Sequence, residues 1–241
     1  VEAGSFGVNG FGPRTIDISN CSIRSETGGI NARRSDSVSV RATTVEVFQL
    51  SPSSGSWGID LRETNSTLIH GCRILAVTGG VTLGNCDTLS VADTAIDVEG
   101  YGIRAVDLRS AFIEGNILNG SGGSCGINAS YIGGGRILRN VIAGFEYGAD
   151  YVSGSMAIWH NTLTKISRMG IRTHGTPGIV NNIVLGLGNA SSTGIMSEPE
   201  NVSHNDVYNF TDPGVMGPGS ITADPFFLSL SLIHISEPTR Q

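Results

Sequence analysis

Ile158-Trp159-His160-Asn161-Thr162-Leu163 is followed, 21 residues later, by Ile179-Val180-Asn181-Asn182-Ile183-Val184. Both stretches read apolar, two residues, asparagine, one residue, apolar. Moving outward, the same frame returns at Ile137…Asn140…Ile142, Ile113…Asn116…Leu118 and Val202…Asn205…Val207. Upstream, the polar slot holds Thr94, Cys72, Thr43 and Cys21 instead, all small and polar. Successive slots are 22, 29, 22, 22, 24, 21, 21 and 23 residues apart. A second column carries glycine before an apolar residue, from Gly7-Val8 and Gly29-Ile30 through Gly102-Ile103 to Gly194-Ile195 and Gly214-Val215. It keeps the same period and has its one long step, 29 residues, at the same place. The extra residues, Phe48 to Trp57, read as a loop inserted in one rung.

The period selects the architecture. Apolar residues alternate, as in Ile16-Asp17-Ile18 and Val38-Ser39-Val40, which is strand rather than helix periodicity. A helical repeat needs 33 or more residues and a propeller blade about 40, and the frame of a leucine-rich repeat is missing. Three short strands per turn of about 22 residues remain. The expectation is an all-β, single-domain right-handed parallel β-helix of about nine to ten rungs, each burying its apolar face against its neighbours. The asparagine column then reads as a tight turn in the left-handed backbone region, with amides bonding from rung to rung. The glycine column reads as backbone bends.

Composition agrees. Of 241 residues, 34 are glycine, 39% are hydrophobic and only 15% charged. A net charge of −6 argues against a nucleic-acid-binding surface, and no run of 18 apolar residues could insert in a membrane. Cys21 and Cys72 share a column two rungs apart, about 9–10 Å, beyond the ~7 Å Cα reach of a disulfide. Four free and mostly buried thiols are expected, and no Cys-x-x-Cys or Cys-x-x-His spacing suggests a metal site.

The repeat units resemble right-handed parallel β-helix repeat proteins of the pectate-lyase-like superfamily, of the bacterial secreted or surface type. Ile221-Thr222-Ala223-Asp224-Pro225-Phe226-Phe227 also resembles the closing stretch of many bacterial members. Residues 230–240 resemble the translated read-through of a sequencing adaptor. The β-helix domain is therefore assigned to 1–229 and a non-native tail to 230–241. The resemblance implies that chemistry, if present, lies along the strand after the glycine column. Two residues after each glycine that strand presents Asn31, Asp60, Thr82, Arg104, Asn128, Asp150, Arg172 and Met196. Four residues after it come Arg33, Arg62, Gly84, Val106, Ser130, Val152, His174 and Glu198.

Arg104, Asn128, Asp150 and Arg172 are consecutive, with His174 beside Arg172 and Glu198 one rung on. Asp150, Arg172 and His174 are the candidate catalytic residues: a carboxylate and an imidazole for acid/base work, a guanidinium for substrate carboxylates. Arg104, Asn128 and Glu198 are the candidate substrate contacts. No resident metal is assigned, and calcium is the one cofactor these carboxylates would admit. The competing reading pairs Asp150 with Arg172 or Arg104 across neighbouring strands as an ordinary cross-strand device. Tyr131, Tyr147, Tyr151, Trp57 and Trp159 are available to stack on sugar rings, with Trp159 expected outside, beside the asparagine turn. The expected function is binding, with cleavage by lyase or hydrolase chemistry left open, of an acidic polysaccharide outside the cell or on its surface. The alternatives are a non-catalytic stalk or adhesin module and a phage tailspike-like fragment.

Overall fold

The computed structural model describes residues 2–3, 6–12, 14–48 and 56–225. Most of the inserted loop and the whole of 230–241 lie outside the described residues. The chain forms a right-handed parallel β-solenoid of about 9 turns with roughly 22 residues per turn. Every pairing between strands is parallel, each rung with the next. Three faces run the length of the coil. The first contains Gly28–Arg33, Trp57–Arg62 and Met169–His174. The second contains Ser37–Arg41, Ser66–His70 and Ser155–Trp159. The third contains Thr44–Val47, Arg73–Ala76 and Thr162–Ile166. In the middle of the coil the strands run on around the corners, as in Tyr101–Glu114 and Ile117–Leu138.

The two sequence columns are explained by one packing arrangement. In each rung the apolar residue two places after the asparagine slot points across the interior at the glycine. A Cβ on Gly102 would meet Leu118 Cδ2 and the carbonyl oxygen of Gly126 at 2.5 Å. Gly126 faces Ile142, Gly148 faces Leu163 and Gly170 faces Val184 in the same way. The glycines from Gly29 to Gly194 in this column keep ordinary negative φ, and only Gly214 turns positive, at 78°. The column is therefore set by close approach, not by the expected bends. Ile103, Ile127 and Ile171, one residue on, are fully buried. Each such side chain contributes about 2–3 kcal/mol of hydrophobic burial.

The asparagine slots differ from expectation in one respect. The left-handed residue is the one before the slot: Asn20, Ala42, Asp93, Arg139, His160, Asn181 and His204 have φ between 46° and 57°, and Gly71 and Gly115 fill the other two places. That residue turns the corner and sends the slot side chain inward, where Asn116 to Asn205 are at most 1% exposed. Each slot then bonds to the next. Asn140 donates its N–H and its Nδ2 to Asn161 Oδ1 at 2.9 and 3.0 Å, and Asn161 repeats this on Asn182 Oδ1. The same Nδ2 groups also donate to inner carbonyls, such as that of Ile137. Thr94 joins upstream through its N–H to Asn116 Oδ1, and Asn205 N–H ends the ladder on Ser220 Oγ at 3.1 Å.

The four cysteines are free thiols, with Cys72, Cys86 and Cys125 buried and Cys21 exposed. Ile221 pairs in parallel with Asp206 at the last described rung. Desolvation raises the Asp206 carboxyl above its ordinary value, with a further push from Asp224. No helix among the described residues is long and apolar enough to cross a membrane.

Candidate functional site

The first face aligns the predicted column. Asn31, Asp60, Thr82, Arg104, Asn128 and Asp150 are cross-strand neighbours in unbroken register. Beyond Asp150 the register slips: Ala149 faces Ile171, yet Val152 faces Thr173. Two residues, Asp150 and Tyr151, thus stand opposite Arg172 alone. This two-against-one count is a β-bulge, a device that re-aims a side chain. Tyr151 is the extra residue, and its φ is 51°. Left-handed backbone costs a bulky side chain about 1–2 kcal/mol. Its cause here is the bulge, since the corner of this rung is turned separately by Gly154, at φ 79°.

The bulge corrects the second outward column. Val152, placed outward by counting four from the glycine, is fully buried. Ser153 takes the outward place and pairs with His174. Tyr151 is thrown outward and remains 44% exposed. The sequence carried no clear signal of this, because Val106, equally apolar in the same column, keeps its register.

Arg172 is held on two sides. Its Nε lies 2.6 Å from Asp150 Oδ1 and its Nη2 2.9 Å from Oδ2, a bidentate pair that is mostly buried. Its guanidinium lies 4.0 Å from the Tyr151 ring centroid and 5.3 Å from that of Tyr147. The bonds to Asp150 raise the Arg172 pKa further, so the arginine keeps its charge. Beneath the pair, burial and the Asp150 charge push the Cys125 thiol well up, which removes it as a nucleophile. Tyr151 also stacks on His174, with centroids 5.1 Å apart and planes 14° from parallel. Tyr131, one rung earlier, is 76% exposed with φ 57°. Ser130, Tyr131, Tyr151, Ser153 and His174 line a pocket of about 240 Å³.

The candidates therefore divide. Asp150, Arg172 and His174 come together through Tyr151. Asn128 is adjacent, accepting a hydrogen bond from Ser130 Oγ at 3.1 Å. Arg104 is exposed two rungs away, about 10 Å along the axis, with no ion-pair partner among the described residues. Glu198 is exposed past the strand end, just before the short helix Pro199–Asn201, and joins no cluster. The Asp150 carboxylate faces a guanidinium on both oxygens, the cross-strand alternative weighed for it above. Among the described residues, no group of three or more His, Cys, Asp or Glu side chains converges for a metal. The pair does not fit calcium either, because Arg172 already occupies the two oxygens a cation would take.

The remaining aromatics sit elsewhere. Trp57 stacks on Tyr101 at 6.5 Å on the first face. Trp159 is half-exposed beside the asparagine turn, as expected from its position. Tyr147 is half-buried and lies against Arg172.

A sequence model described as right handed beta helix region matches residues 2–131, just over half of the chain. The chain belongs to that family. No curated protein matches it, and no solved structure does. The match covers the regular rungs of the beta-helix and ends at Tyr131, at the edge of the pocket. The bulged rung lies outside it.

Proposed function

We propose that the first face of this beta-helix binds a polysaccharide lying along the coil axis, outside the cell or on its surface. The observation that carries this is the strip from Arg104 to His174, where one unpaired guanidinium and an amide stand in register on adjacent rungs with exposed tyrosine rings beside them. Arg104 is the anchor for an acidic group, because its planar fork suits a carboxylate and no partner among the described residues competes. Exposed tyrosines beside hydroxyls and amides suit the faces and edges of sugar rings. The strip acts by binding rather than cleavage, since the carboxylate best placed for acid/base work is committed to Arg172 at 2.6 and 2.9 Å.

The test is retention of the 241-residue chain on uronic-acid and neutral polysaccharides, with and without calcium. Ultraviolet absorbance would report lyase products and a reducing-end assay hydrolysis. The expected result is calcium-independent binding without turnover, weakened severalfold by Arg104→Ala on acidic polymers at low salt. Turnover that disappears in Asp150→Ala would replace binding with catalysis. No retention on any polymer by a folded protein would favour the stalk reading.

A further inference from the structure

The pocket beside the Tyr151 bulge is chemically distinct from the rest of the strip. Its lining contains no carboxylate, lysine or arginine. The nearest guanidinium, that of Arg172, is matched by the Asp150 carboxylate, so the pair presents little net charge to a ligand. What faces the pocket is two phenol rings, two serine hydroxyls and the His174 imidazole, whose ring is stacked on Tyr151. Arg172 and His174, which contact the Tyr151 ring, both come from the following rung. Ser130 and Tyr131 come from the preceding one, so the pocket opens between the two tyrosines.

The hydroxyls are set for both halves of a hydrogen-bond exchange. Ser153 Oγ accepts the N–H of Tyr131 at 2.6 Å and that of Ile132 at 3.4 Å, which leaves its own proton to donate. Ser130 donates to Asn128, which leaves its oxygen lone pairs to accept. A ligand carboxylate could use only the donors, and an ammonium only the acceptors; neutral hydroxyls use both. Tyr131, at the corner that Arg34, Glu63, Asn85 and Asp107 turn in earlier rungs, and Tyr151, at the bulge, supply flat apolar surface for a ring with an apolar face. At about 240 Å³ the pocket has room for one small ring.

We infer that this pocket binds a single uncharged sugar ring, a neutral residue or side branch of the polysaccharide. The inference rests on the saccharide-binding reading of the first face and adds the class of unit it selects. The neutral ring lies against Tyr131 and Tyr151, and Ser153 and Ser130 fix its hydroxyls. Asp150 is a positioning residue: by holding Arg172 it sets the face on which Tyr151 rests and cancels the charge that would otherwise attract a uronate.

The experiment is ligand-observed NMR on the 241-residue chain with methyl glycosides of glucose, galactose, mannose and N-acetylglucosamine. The methyl glycosides of glucuronic and galacturonic acid serve as the charged counterparts. At least one neutral glycoside should bind at least fivefold more tightly than its uronate. Tyr131→Ala and Tyr151→Ala should each abolish that signal, with circular dichroism unchanged. Asp150→Asn, which frees the Arg172 charge, should shift preference toward the uronate at least fivefold, a reversal that a purely structural role would not produce. Three results would each overturn the inference: uronates preferred by the unaltered chain, neutral binding insensitive to both tyrosine changes, or no neutral glycoside bound. Polysaccharide retention lost in Arg104→Ala but kept in the tyrosine variants would leave the face reading standing and remove only this pocket. Loss of all retention would remove both.

Discussion

The corner beside the asparagine ladder and the bulge beside Tyr151 both contain left-handed non-glycine backbone, but they use it differently. At the ladder corner, the left-handed residue recurs in every rung from Asn20 to His204, and its identity varies widely: Ala42, Asp93, Arg139, His160. Its job is geometric, to turn the chain so that the next side chain points inward. At the bulge the left-handed residue occurs in one rung only, and its side chain is an aromatic ring held against Arg172 and His174. In a repeat protein, strain present in every rung belongs to the fold, and strain in one rung points to what is local to that rung, here the ring that the bulge sets against Arg172 and His174.

The sharpest way to break this comparison is at the ladder. Asn161→Leu would take the side-chain partner from the buried Asn140 backbone N–H and from the Ile137 carbonyl. Each unmet group costs about 1–3 kcal/mol, so a loss of about 4 kcal/mol is expected in urea unfolding. A loss below about 1 kcal/mol would mean that the ladder merely follows the backbone and does not hold the rungs. At the bulge, Asp150→Ala should cost about 2 kcal/mol, less than the ladder change because Arg172 keeps some solvent and its tyrosine contacts. Asp150→Asn should cost about half as much, because its amide oxygen still accepts. Equal losses for the two would show that charge, not hydrogen bonding, holds Arg172. The smallest effect is a gain. Tyr131→Gly removes a mostly exposed ring and relieves positive φ, so the melting temperature should stay level or rise by the equivalent of up to ~1 kcal/mol while glycoside binding is lost. A clear loss of stability would give Tyr131 a role in the fold and weaken its assignment to the pocket.

The fold was legible because its determinants repeat. The spacing of Asn116, Asn140, Asn161, Asn182 and Asn205, locked to the glycine column, gives the rung length without any knowledge of contacts. Why those columns exist was less legible. Positive φ falls one residue before each asparagine, and the glycines yield to Ile and Leu side chains from across the interior, a relation only packing reveals. At the site, the register from Asn31 to Asp150 followed from counting, and the count failed at the one residue that breaks the period. A fixed offset from Gly148 puts Val152 outside and gives Tyr151 no special place. The apolar character of Val152 could not carry the correction, since Val106 is as apolar and stays in register; it takes a structure to show that the surplus residue is the tyrosine and that it shares Arg172 with Asp150. Glu198 illustrates the opposite failure: the period assigns it a place that the chain, leaving the strand at Met196, does not keep.

The ladder also makes the coil a ruler. From Asn116 to Asn205, every slot offers its neighbours the same donors and the same acceptor, so a whole turn can be removed or duplicated and the two cut ends will still fit. Length is then adjustable only in steps of about 4.8 Å, and everything mounted on the outside moves with it. Excising the turn between Gly102 and Gly126 would carry the unpaired arginine away, and excising the next would take Ser130 and Tyr131 out of the pocket. Only a turn inserted between Arg104 and Ser130 would change the distance between the charge-seeking and the ring-seeking contact without redesigning either.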